Sequence, residues 1–134
     1  MNKKTSSYIL IIGILILLGF IIKGTFNQPG IEDMQADFKE ISKYRNPNNT
    51  GPVQRIYAVT VKDSIWKEME DYGNIMPHTK YGNTKVYFFK EGTNVPLTLQ
   101  PGDVNFDAEF NKSCIALYEK SAMSQVAFNK YPFN

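Results

Sequence analysis

One stretch of the chain narrows what it can fold into more than any other. Residues 8–22 read Tyr-Ile-Leu-Ile-Ile-Gly-Ile-Leu-Ile-Leu-Leu-Gly-Phe-Ile-Ile, without a charge among them. A helix through such a segment is apolar all round, so it belongs in a lipid bilayer or in the middle of a large core. With 134 residues in all, the chain has no core large enough to enclose it. At about 1.5 Å per residue the run covers roughly 22 Å, short of the ~30 Å hydrocarbon layer. Ser6, Ser7, Gly24, Thr25 and Phe26 can lengthen the helix, and Lys23 can snorkel to the interface. We therefore expect a membrane anchor at 1–26, embedded through residues 8–22.

Lys3, Lys4 and the terminal amine precede the run, while Lys23 follows it. The positive-inside bias then favours an inside N-terminus and a soluble part on the extracytoplasmic side. The charged start and the hydrophobic length would also suit a cleaved signal peptide. Against that, the run ends Gly-Phe-Ile-Ile-Lys-Gly, bulky where a cleavage site needs small residues.

The formal charge of +2 is carried by the anchor's flanks. From Gly24 onward there are ten Lys and two Arg against thirteen Asp or Glu, a net of −1. Such a near-neutral domain has no electrostatic footprint for nucleic acid. Only Arg45 and Arg55 could grip a phosphate bidentately. The single cysteine, Cys114, excludes an internal disulfide, and one Cys with one His leaves too few soft ligands for a zinc site.

Residues 27–52 are expected to connect anchor and domain. Pro29-Gly30 breaks the chain. Ile31, Met34, Phe38 and Ile41 then recur at helical spacing, with Glu32 and Asp33 early and Lys43 and Arg45 late, as a helix dipole prefers. The pattern predicts a short helix, and its apolar stripe could serve self-association. Asn46-Pro-Asn-Asn-Thr-Gly-Pro52 ends it.

Residues 53–134 read as one small α+β domain. Val53–Lys62 alternates and is rich in β-branched and aromatic residues, as a strand requires. Asp63 or Ser64 can cap a helix reaching Tyr72, with Ile65, Trp66, Met69 and Tyr72 on its apolar face and Gly73 placed for its C-terminal cap. Lys85–Phe89 is a second strand. Val95–Gln100 suits an edge strand because Pro96 cannot donate to a ladder. Asp103–Asn111 alternates strictly, and 113–120 with 125–131 form a closing hairpin. The expected architecture is an N-terminal transmembrane helix, a short connecting helix, and a mostly antiparallel sheet with one main packed helix.

Four features bear on chemistry. Asp103, Asn105, Asp107 and Glu109 space oxygen ligands as a calcium loop does. However, Ala108 stands where that loop needs Gly and Cys114 where it needs a bidentate Glu, so a strand with a polar face explains the pattern as well. Cys114 and His78 are the parts of a thiol nucleophile and its base, but both suit ordinary structural roles. The long polar segment 74–84 carries Met76, His78, Lys80 and Tyr81, residues suited to adaptable recognition. The tail Phe128–Asn134 can dock a partner or seal the core. No glycine-rich phosphate loop, nucleophile elbow or dinucleotide fingerprint appears, and no cofactor is expected. The leading expectation is a membrane-held binding module or accessory subunit of an envelope complex, with a protein partner. Two alternatives stand beside it: a small envelope enzyme or inhibitor using His78, Cys114 or the acidic residues 103–109, and a secreted domain freed from its signal.

Overall fold

A computed structural model of the chain describes residues 2–26 and 30–134. The chain divides into two compact units, Met1–Glu32 and Asp33–Asn134.

The first unit is built on helix α1, Lys3–Phe26, 24 residues long. Its stretch Lys3–Lys23 is long and apolar enough to cross a membrane, and none of it is buried against protein. Ser7 returns its hydroxyl to the Lys3 carbonyl at 3.1 Å, which quiets a polar side chain at the start of an apolar helix. Of the Pro29-Gly30 break, Pro29 lies outside the described residues.

The second unit is an α+β domain. Five strands lie side by side in chain order: β1 (Phe38–Arg45), β2 (Gln54–Val61), β3 (Asn83–Lys90), β4 (Cys114–Lys120) and β5 (Val126–Lys130). All pairings are antiparallel except β2 with β3, which run parallel through the crossover helix α2, Trp66–Ile75. Parallel neighbours need such a crossover. The central strands are buried on both faces, so they read as near-continuous apolar runs such as Ile56-Tyr-Ala-Val-Thr-Val61.

Helix α2 covers one face. Phe38 stacks on Tyr72 at 4.6 Å between ring centroids, and Phe88 meets both rings edge-on at 5.9 Å. Met69, Val59, Val61 and Tyr118 complete this layer and are all fully buried. The opposite face carries Ile56, Ala58, Tyr87, Phe89 and Cys114. It is covered by the long segment 91–113, which contributes Leu99, Phe106 and Phe110. The domain is thus helix, sheet and packed loop, in three layers.

Several expectations need correction. Residues 31–44 do not form the predicted connecting helix. A single 3₁₀ turn occupies Ile31–Asp33, Asp37 has φ 56°, and β1 follows. Ile31, Met34, Phe38 and Ile41 therefore share no helical stripe for self-association. A register shift between Glu40 and Ser42 breaks the alternation of β1, and that break disguised a strand as a 3-4-3 pattern. Pairing with β2 and the seat of Phe38 against α2 outweigh local helix preference.

Helix α2 starts one residue later than a Ser64 cap predicts and two later than an Asp63 cap does. Its N-cap is Ile65, with no side-chain hydrogen bond. Gly73 is not a cap. It lies inside the helix, where any Cβ would run into the Tyr118 ring. The acidic stretch 103–111 is not a strand: it bends and enters a 3₁₀ helix at Ala108–Ser113, which leaves Val104 64% exposed while Phe106 is buried. Val95–Gln100 is irregular cover for the back face, bent at Leu97, and joins no ladder. The closing hairpin forms as β4 and β5, and the tail folds back: Tyr131 packs on Trp66 and Phe133 on Tyr87 and Phe106.

Candidate functional site

The segment joining α2 to β3 is shaped by local chemistry. Pro77 has no N–H to continue the helix, and α2 closes with the Met76 amide donating to the Tyr72 and Gly73 carbonyls at 3.2 Å. His78 Nδ1 lies 2.9 Å from Thr84 Oγ1, and the Thr84 hydroxyl donates to the Pro77 carbonyl at 3.1 Å. That hydroxyl has one hydrogen, so the bond to His78 must run from Nδ1–H to Thr84. The inferred tautomer leaves Nε2 an acceptor, buried and without a partner. Burial, helped by the positive charges of Lys120 and Arg55, lowers the His78 pKa below its ordinary 6.5.

Beyond His78 the chain turns sharply, with Gly82 N–H donating to the Thr79 carbonyl at 2.9 Å. Tyr81 occupies the third position of this turn with φ 66°, a costly backbone state for a bulky side chain. Gly82 is required: a Cβ there would meet the Val53 carbonyl. The turn lifts Tyr81 into solvent, 64% exposed, with Lys80 Nζ 5.1 Å from its ring centroid. A shallow cavity of about 280 Å³ opens beside it, between Gln54, Tyr81, Glu119 and Ser121.

The four predicted recognition residues are thus on one loop but not in one state. Lys80 and Tyr81 project, whereas Met76 and His78 are half-buried. Arg55, which the sequence offered only as one of two arginines, supports the loop from below, its Nη2 donating to Thr79 Oγ1 at 3.0 Å. Its Nε is buried without a partner. A lone cation at the head of the apolar β2 run was the available signal for this residue.

Cys114 and His78 are not brought together. Cys114 pairs in register with Phe89 on the loop-covered face, while His78 is bonded to Thr84 at the other end of β3, on the helix side. Burial pushes the Cys114 thiol up to about 12 from an ordinary 9.0, the reverse of what a nucleophile needs.

The acidic quartet is also spread in role. Asp103, Asp107 and Glu109 are exposed, but Asn105 is buried. Its carbonyl oxygen accepts from the Tyr87 hydroxyl at 2.5 Å, and its Nδ2 donates to the Gln100 and Gly102 carbonyls at 2.9 and 3.0 Å. Asn105 pins the covering loop to the sheet. Among the described residues, no group of three His, Cys, Asp or Glu side chains is placed to hold a metal ion.

Compared with known proteins, the chain matches no family model, no curated protein and no solved structure.

Proposed function

We propose that this chain is a single-pass membrane protein whose folded unit stands on the extracytoplasmic side and recognises a protein partner, as an accessory subunit of an envelope complex would. In this reading residues 1–26 are the anchor, the residues after it are a tether, and the turn Thr79–Gly82 is the recognition element, with Met76, His78, Lys80 and Tyr81 on or beneath it. The observation that carries the reading is α1: the 21 residues Lys3–Lys23 form one apolar helix with no protein cover, long enough at about 31 Å to cross the hydrocarbon layer. The support for recognition is the exposed Tyr81, held in an unfavourable backbone state beside Lys80. The loop-covered thiol and the remote His78 give an enzyme reading nothing to build on.

A photo-crosslinking residue at position 81, introduced into the full-length protein in native membranes, tests the recognition element. One discrete crosslinked protein species, lost when the label moves to Glu91 on the opposite loop, is the expected result. Equal labelling from both positions contradicts it. Sidedness is tested by adding protease to intact spheroplasts: the domain is digested if it lies outside, and protected if it does not.

A further inference from the structure

The sheet registers line up a row of residues that the sequence scatters. Arg45 on β1 is the direct cross-strand partner of Arg55 on β2, Arg55 is in register with Thr84 on β3, and Thr84 with Lys120 on β4. Cross-strand partners share a face, so one end of the helix-covered face presents three cations in a line across four strands. Neighbouring strands are about 4.8 Å apart, so the row spans roughly 14 Å.

The two arginines are the only ones in the chain, and they stand opposite each other, where like charges repel. Among the described residues no acid compensates them: the one ion pair is Lys67 with Asp71, on α2. Glu119, next to Lys120, pairs in register with Lys85 on the opposite face. The segment Pro77–Thr79 lies over the row through His78 on Thr84 and Thr79 on Arg55. Arg55 Nε is a buried donor without a partner there, so this corner has an unmet N–H in the free protein. His78 Nε2, also unpartnered, is an acceptor in the inferred tautomer and offers an anion nothing. Arg45 is exposed and Lys120 half-buried, which leaves the row open to solvent at both ends.

We propose that this row, Arg45–Arg55–Lys120 beneath the Pro77–Thr79 segment, is an oxyanion site that takes a phosphate group. A guanidinium offers paired donors in the geometry of a phosphate, and two arginines at directly opposed cross-strand positions suit a tetrahedral anion far better than a single carboxylate. Bound anion removes the Arg45–Arg55 repulsion and draws on the Arg55 donors that Thr79 leaves unused. The inference goes beyond the proposed function: it gives the cationic row beneath the loop after α2 a ligand of its own, separate from the protein partner proposed for the Thr79–Gly82 turn. The phosphate can belong to an anionic lipid headgroup or to a phosphate-bearing polymer.

The test uses the full-length protein in phosphatidylcholine nanodiscs, titrated with inorganic phosphate while the arginine Nε–H and His78 ring signals are followed by NMR. Expected is a saturable shift of the Arg55 Nε–H and His78 signals. Arg45→Gln should weaken binding about tenfold, the loss of one charge-assisted contact. Lys120→Gln, two strands and about 10 Å from Arg55, should weaken it by about two- to threefold through its charge. These two positions are not buried, so both variants keep the test independent of Arg55→Gln, which can disturb the fold. No saturable shift across the millimolar range, or a shift indifferent to both variants, overturns the proposal. Replacing part of the phosphatidylcholine by phosphatidylglycerol, or adding soluble poly(glycerol phosphate), identifies the source by which of them produces the same shift. A folded, membrane-bound protein that ignores phosphate removes this inference and leaves the proposed function standing. Phosphate binding by a protein that washes off membranes does the reverse.

Discussion

Gly73 and Tyr118 show how one missing side chain sets the distance between two layers. The Tyr118 ring lies where a Cβ on Gly73 would be, and the Tyr118 hydroxyl donates to Asn74 Oδ1 at 2.7 Å, fixing the ring in that place. Gly73→Ala returns at most about 1 kcal/mol of helix propensity. Overpacking of a filled core costs about 1–3 kcal/mol. Because the overlap is with a fixed ring, the variant should lose about 2 kcal/mol in urea unfolding; an unchanged or raised midpoint would show that α2 can move away freely. Buried titratable groups give a second prediction. Cys114, Tyr72 and Tyr87 hold their protons to about 12 in the fold because burial penalises the charged forms. The unfolded chain releases them near 9.0 and 10.0. A raised folded value stabilises fully below the unfolded value, and that contribution is lost as pH rises from about 9 through 12. The thermal midpoint should therefore fall steadily above pH 9. Iodoacetamide should leave native Cys114 unmodified at pH 8 and label it only on unfolding; rapid native labelling would mean the thiol is not covered as described.

Glu68 does for the elements what Gly73 does for the rings. It sits in the first turn of α2, where a carboxylate suits the helix dipole. Its two oxygens accept from the Gln35 and Ala36 amides at 2.9 Å each. The Ala36 carbonyl in turn accepts from Lys62 N–H at 2.8 Å. One side chain thus holds the entry to β1 against both α2 and the end of β2. Glu68→Gln can replace only one of these acceptors, so it should cost about 1–2 kcal/mol. It should also speed amide exchange of Phe38–Glu40 ahead of the rest of the sheet; uniform exchange would place the tie elsewhere. The same region explains what could be read from residues and what could not. The long apolar helix α1, the apolar β2 and β3, the α2 helix and the β4–β5 hairpin were legible, because their periodicity or composition is local. β1 was not, because a bulge at Ile41 removes the period-2 signal and its reason to be a strand lies on β2. The acidic stretch 103–111 misled in the opposite way. It alternates like a strand, yet Asn105 is held by Tyr87 and by two loop carbonyls, contacts no spacing reveals. The candidate loop was visible from its length and its His, Lys and Tyr. Its support, Arg55 facing Arg45 with Lys120 beyond, depends on strand order and register and is silent in the sequence.

At the scale of the whole molecule, two units obey different solvents. The folded unit hides its aromatic residues in three layers, while α1 leaves Ile, Leu and Phe side chains 48–72% exposed. Twelve of these lie between Ile9 and Ile22. At about 0.3–0.6 kcal/mol each for insertion, they favour the bilayer by on the order of 5 kcal/mol. In water the same surface would be an aggregation hazard larger than a soluble monomer tolerates. A bilayer would cover this surface, as the proposed single-pass anchor requires. The most direct measurement is fractionation of intact cells, with an alkaline carbonate wash of the membranes and the intact mass of the recovered protein. The uncleaved 15.3 kDa chain is expected in the washed membrane pellet. A chain shortened to begin beyond Gly24, or the full-length chain in the soluble wash, would contradict it.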